Sequence, residues 1–247
     1  MPPRETGRPS SDPPPPNGTM NAASPPSDDF PDVAPPAPPA PDPAAVGWYV
    51  RLARHHLGRG PYLDVGGRDG ALLAGLAALG PAAGLAATEA DATALRAGAP
   101  GCPVHTDAST LPGPVAALTA VGVLDHLPDD ALDADVGPGG WFRALEPGGR
   151  ALVVAADADG RARELLGARW PTPPVPRGHA RIRELIVAAG LEIVREGSDG
   201  LCRGPYGRVP AGLDPRTAPA ATQRSIGRLT LAPGSGESAV LIVRRPA

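Results

Sequence analysis

Lysine is missing from this 247-residue chain, in which all 23 Lys/Arg positions are arginine. With abundant alanine, glycine and proline, this is the mark of translation from a very GC-rich genome, and it makes alanine and proline weaker guides to local structure than usual. Cysteine is scarce too. Cys102 and Cys202 are too few for a disulfide framework or a zinc cluster, and nothing suggests secretion, so no metal is expected and the cytoplasm is the expected compartment. Aromatic residues make up 3% of the chain and are not spaced as a base-stacking platform, which argues against nucleic acid. No apolar run approaches the length of a membrane span.

What is present divides unevenly. Residues 1–45 hold 16 of the 35 prolines and almost no large apolar side chains. Such a segment cannot bury enough apolar surface to offset its ordering entropy, so a disordered, partly polyproline II tail is expected there, dispensable to the body at 46–247. The tail carries 2 arginines against 6 acids, leaving 21 arginines and 20 acids in the body, a formal charge of +1. A near-neutral body gives no electrostatic footprint for nucleic acid. A small molecule is the expected partner, with no nucleic acid and no membrane.

The body is organised around residues 61–70, Pro-Tyr-Leu-Asp-Val-Gly-Gly-Arg-Asp-Gly, followed by an apolar run over 71–79. A short strand ends in a carboxylate, a glycine turn follows, and a helix with Leu72, Leu73, Leu76 and Leu79 begins. Gly66 and Gly70 lack a Cβ, so the backbone there can turn with positive φ and lie close to a ligand. Asp64 stands at the carboxyl end of the strand, where open α/β sheets present their ligand crevice. Alone, the turn reads equally as a tight strand-to-helix connection.

Strand and helix patterns then alternate. A helix is expected over 46–57, with Trp48 and Tyr49 packing it onto the domain. A second strand over 84–89 ends in Glu89, about 20 residues beyond the turn, where an acid can accept hydrogen bonds from both ribose hydroxyls of an adenosine ligand or simply face solvent. A third short strand, 103–105, runs into Asp107 and Ala108. Residues 115–124 form an apolar run without charge, the signature of a central parallel strand, with Leu124-Asp125-His126 at its end. A strand over 151–155, a helix over 180–189 and a strand over 191–194 follow, and 228–231 and 239–243 are expected to pair as a hairpin at one sheet edge. The pattern implies a doubly wound, Rossmann-like α/β sheet of about seven strands, mostly parallel, with an antiparallel edge hairpin and helices on both faces.

Taken in order, these pieces resemble class I S-adenosylmethionine-dependent methyltransferases over roughly residues 62–243. Leu63-Asp64-Val65-Gly66-Gly67-Arg68-Asp69-Gly70 is similar to the family's first motif, with Arg68 in place of the central glycine. Leu145-Glu146-Pro147-Gly148-Gly149 resembles its Leu-Lys-Pro-Gly-Gly turn, and Ala188-Ala189-Gly190-Leu191 its step into the sixth strand. The resemblance implies S-adenosylmethionine as cofactor, held by Asp64, Gly66, Gly67, Gly70, Glu89, Asp107, Ala108 and Leu124. It also implies methyl transfer to a small-molecule acceptor by in-line displacement, with catalysis mainly by positioning. His126 is the candidate general base for an acceptor that must lose a proton, or else a structural histidine bonded to a nearby loop. The Arg68 guanidinium is expected to point outward to water. A degenerate, non-catalytic binding or scaffold protein on the same fold is the alternative.

Overall fold

The structure, a computed structural model, describes residues 43–128 and 140–247. The proline-rich stretch falls outside the described residues up to position 42, and so do residues 129–139. Helix α1 (Pro43–His56) takes in three residues assigned above to the tail, because Ala45 already packs against the core. Its buried face, Trp48, Leu52 and Ala53, is fully inaccessible to water.

Strand β1 (Tyr62–Val65), helix α2 (Ala71–Ala77), strand β2 (Ala82–Leu85), helix α3 (Glu89–Gly98), strand β3 (Val104–His105) and strand β4 (Val115–Val121) follow. After them come β5 (Leu145–Ala156), α4 (Arg161–Leu166), α5 (His179–Ala188), β6 (Glu192–Ser198), α6 (Ala218–Ile226) and β7 (Ser238–Arg244). The seven strands form one sheet in the order β3-β2-β1-β4-β5-β7-β6. β1 to β5 run parallel, and β7 is antiparallel to both of its neighbours.

The two-residue period of the strands sorts the core into layers. Tyr62, Ala117, Leu152, Val154, Val240 and Ile242 face α1 and α2. Leu63, Leu118, Val153, Leu241 and Val243 lie on the opposite face, with Ile182 and Ile186 of α5. Helices therefore cover both faces, which is why the central strands read as unbroken apolar runs. Among the described residues, no helix is long and apolar enough to cross a membrane.

Three local expectations are corrected. β4 stops at Val121 instead of 124, because Gly122 turns with φ +73° and its N–H bonds Val154 O at 2.8 Å. Asp125 and His126 therefore sit in a turn above the strand. The Pro147-Gly148-Gly149 turn does not precede β5 but is a bulge within it, marked by the register shift between Val115 and Ala117. The third concerns the antiparallel edge pair, which is built from β6 and β7 and not from 228–231 and β7. Residues 228–231 form no strand, and Leu231 makes only an isolated antiparallel bridge to Ser198.

Gln223 supplies the reason. Its buried side chain accepts from Thr230 N at 2.6 Å and Leu231 N at 2.8 Å and donates to Ser198 O at 2.9 Å. Amides held by a side chain are not offered to a strand, so β7, buried from Ser238 to Val243, pairs instead with β5 and β6. Gln223→Ala strands two amides and a carbonyl and should cost about 3 kcal/mol in urea unfolding. A loss below about 1 kcal/mol would show that these groups reach water and that Gln223 does not set the pairing.

Candidate functional site

Asp64 and Thr119 are register partners on β1 and β4, on the face covered by α2. The Thr119 hydroxyl donates to Asp64 Oδ1 at 2.7 Å in the buried interior. The other oxygen, Oδ2, is buried without any partner. Burial pushes the Asp64 carboxyl up to about 7, against the stabilising Thr119 bond and with a further rise from the Asp69 charge. A Cβ at Gly67 would come within 2.5 Å of that unpartnered oxygen, so the glycine turn folds directly over it. Gly66 turns with φ +68°, and Gly70, at φ +75°, caps α2 so close to Leu95 O that a Cβ would lie 2.8 Å away. The turn thus needs glycine for its own fold as well as for any ligand.

The other expected residues lie at the carboxyl ends of adjacent strands. Glu89 opens α3, whose N-cap Thr88 accepts from Asp91 N, and its exposed carboxylate pairs with Arg96 Nη1 at 2.6 Å. Asp107 accepts from Ser109 N at 2.8 Å and caps the short 3-10 turn that begins at Ala108, a bond that holds its carboxyl below the usual range. Since β3, β2 and β1 are neighbours, Asp64, Glu89 and Asp107 follow one rim of the sheet. Ala108 packs against the core edge. The Leu124 side chain is buried in the core, and its carbonyl accepts from Arg177.

Arg68 is exposed but does not merely extend into water. Its Nη2 lies 2.7 Å from His126 Nε2, so the guanidinium links the glycine turn after β1 to the turn after β4. Beside it, Asp125 Oδ1 accepts from Ala156 N at 2.8 Å, and burial raises its carboxyl above the usual range. Trp170 is buried beside Tyr206 and Leu201, with the Arg163 guanidinium 5.8 Å over its ring.

Sequence reasoning missed a second polar centre where β6 ends and β7 begins. Asp199 Oδ1 accepts from Glu237 N at 3.0 Å and Ser238 N at 2.7 Å. Glu237 Oε1 accepts from Cys202 N at 2.8 Å, and its carboxylate is paired with Arg203. Burial, followed by the Glu237 charge, pushes Asp199 up to about 6, and burial pushes the Cys202 thiol up. Ligand-capable atoms of Asp199, Cys202 and Glu237 lie within 4.8 Å of one another. Backbone amides and a guanidinium already hold the two carboxylates, so the cluster works as a clamp fastening the 199–206 loop to β7. Tyr49 of α1 faces it, with its phenol pKa raised by burial and by the Asp199 charge. No periodicity or spacing in the sequence marks these residues, which come from segments 38 positions apart.

No protein-family model and no curated protein matches this chain. Solved structures do. A SAM-dependent methyltransferase from Archaeoglobus fulgidus matches with TM-score 0.53 and 13% identity, over 83% of this chain and 95% of its own. One from Thermotoga maritima, described as a possible histamine N-methyltransferase, gives TM-score 0.54 and 15% identity over 82% and 91%. The [4+2]-cyclase SpnF gives TM-score 0.52 and 20% identity over 81% and 82%. With the strand order and the antiparallel seventh strand, these likenesses show that the chain has the fold of the class I SAM-dependent methyltransferases.

Proposed function

We propose that the protein is a methyltransferase that uses S-adenosylmethionine and a small-molecule acceptor. The observation that carries the reading is Asp64. A buried carboxylate with one oxygen unpartnered, under a glycine turn at the carboxyl end of β1, is costly unless a donor or cation reaches it. The cationic methionine end of the cofactor fits that need. In this reading Gly66, Gly67 and Gly70 shape the turn beside it, Glu89 accepts from the ribose hydroxyls, and Asp107 and Ala108 meet the adenine.

The cofactor supplies an electrophilic methyl group. The chain's part is to hold the acceptor in line with it and to keep water out, which can supply effective molarities on the order of 10⁵ M or more. His126, beside the crevice, is the residue placed to take the acceptor's proton where one must leave, once its Nε2 is released from the Arg68 guanidinium that donates to it. The body from the start of α1 at Pro43 carries the activity, the proline-rich stretch before it is dispensable to it, and the cytoplasm is the setting. The near-neutral charge of the body favours a small acceptor over nucleic acid. The second reading, a non-catalytic binding protein, draws support from the Arg68–His126 contact across the crevice.

Calorimetry with S-adenosylhomocysteine separates the two. Binding is expected, and Glu89→Ala should weaken it by roughly 1–3 kcal/mol through loss of the ribose acceptors. Arg68→Gly should change affinity by less than about tenfold, because an exposed contact of this kind contributes at most about 1 kcal/mol. A gain far above tenfold would mean that Arg68 blocks the site, and the enzyme reading would give way. Absence of binding at millimolar ligand would do the same.

Asp64 adds a pH dependence. Its folded pKa, about 7, lies above the unfolded value, so the native state holds the extra proton. Its contribution to stability is therefore greatest below about pH 4 and declines as pH rises towards 7, by a total on the order of 4 kcal/mol. Asp199 acts in the same direction up to about pH 6. The difference in urea stability between the wild type and Asp64→Asn should fall as pH rises from 4 to 7. The variant keeps the slopes of Asp199 and Asp125, which fall with pH, and of His56, whose pKa burial lowers to about 4 and whose contribution rises with pH. Cofactor affinity should rise through the upper end of that window in the wild type, as Asp64 ionises, and stay level in the variant. Parallel profiles for the two proteins would show that Asp64 ionises normally and is not the anchor.

A further inference from the structure

Helix α1 ends at His56, over the sheet face that carries Leu152 and Ile242. Around its last turn that face is basic. Arg150 lies two residues before Leu152 on β5, and Arg195 of β6 is the register partner of Ile242, so the two-residue period turns both side chains to the α1 side. Arg228 joins them from the segment after α6, between its left-handed cap Gly227 and the buried Leu229. Arg150, Ala117 and Tyr62 are successive register partners across β5, β4 and β1, which sets the cluster level with the first residue of β1. The glycine turn follows the last.

Three guanidinium groups and an imidazole meet here without an acid to balance them. Arg150 Nη1 donates to His56 O at 2.9 Å, which closes the end of α1 and leaves most of that guanidinium's donors unused. Arg195 and Arg228 are exposed and form no ion pair or hydrogen bond among the described residues. The acid on the same face of β6, Glu192, is paired with Arg244. His56 Nε2 is buried without a partner. Burial, and after it the positive charges of His55, Arg195, Arg150 and Arg228, holds the His56 imidazole down at about pKa 4. Every charge that acts on this imidazole is positive, although the body as a whole carries only +1.

Like charges gathered in this way repel one another, and an anion bound among them removes that cost. A carboxylate brings a single charge. A phosphate monoester brings about −1.5 to −2 and three strong acceptor oxygens, which suits three guanidinium groups that approach from different elements. We infer that Arg150, Arg195 and Arg228 form a binding site, at the end of α1, for the phosphate group of a small molecule. The inference does not rest on the methyltransferase reading, since the cofactor crevice lies at the other end of β1.

Titration calorimetry of the full chain at fixed ionic strength, with inorganic phosphate, pyrophosphate, phenyl phosphate and acetate, tests the assignment. At least one of the three phosphates should bind tenfold or more tighter than acetate, and the tightest of them tells a free phosphate from an ester. Arg195→Gln and Arg228→Gln should each weaken that ligand about fivefold or more, while Arg195→Lys keeps most of the affinity. Both residues are exposed, so unchanged melting of the variants is expected and checks that the fold is intact. Acetate binding as tightly as the phosphates, or both glutamine variants binding them unchanged, would overturn the inference. So would displacement of the phosphate by S-adenosylhomocysteine, which would place the anion in the crevice. A short oligothymidylate should compete no better than inorganic phosphate at equal phosphate concentration. Stronger competition would make this a nucleic-acid face and overturn the small-molecule assignment.

Discussion

The fold around the candidate site depends on a single buried carboxylate. Asp64 ties β1 to β4 through Thr119, and the position of its second oxygen dictates a residue without a side chain at Gly67. That requirement propagates. With Gly67 forced, the turn closes over β1, Gly70 can bring the start of α2 against the Leu95 carbonyl, and α2 and α3 pack together over Leu73 and Leu95. Replacing Asp64 by an apolar residue of similar size would relieve an unsatisfied oxygen, so stability alone gives no reason to keep it. A group that costs stability at the mouth of a sheet is better explained by what it does to a ligand.

The other half of the sheet is organised by β7. Inserting it antiparallel between β5 and β6 brings the start of β7 and the ends of β5 and β6 to the same rim. Asp199, the first residue after β6, can therefore accept from Glu237 and Ser238, where β7 begins. The clamp that results fastens the Cys202 loop close to α1 and α6, which line a cavity with it. The strand order thus separates the glycine-turn crevice, over β1 and β4, from the polar clamp on the β6–β7 side.

Sequence pattern revealed the elements whose stabilising contacts are local or periodic. The first strand and its glycine turn, the helix α1 and the apolar central strand were legible because burial leaves its mark within a few residues. Pairing was less legible. Residues 228–231 have the composition of a strand, and only the side chain of Gln223, buried under them, takes the amides a strand would use. The expected site acids share one rim because a parallel sheet gathers its carboxyl ends there, although Glu89 does not end its strand as expected: β2 stops at Leu85 and Glu89 opens α3. The Arg68–His126 contact and the Asp199–Glu237 clamp join segments 58 and 38 residues apart, and nothing in either segment alone signals the other.

The fold leaves the reaction open, since a protein named for cyclisation shares it with proteins named for methyl transfer. In this chain, magnitudes at the crevice decide between the two readings. The Arg68–His126 contact is solvent-exposed on both sides, and such contacts are worth at most about 1 kcal/mol. A cofactor bound at micromolar affinity brings about 8 kcal/mol, so displacing the contact would weaken binding by less than an order of magnitude. The buried side of the same crevice is different in kind. There the oxygen of Asp64 is buried without a partner, and an unpaired buried carboxylate oxygen costs more than an exposed contact is worth, so a donor that reached it would gain more than loss of the Arg68–His126 contact takes away.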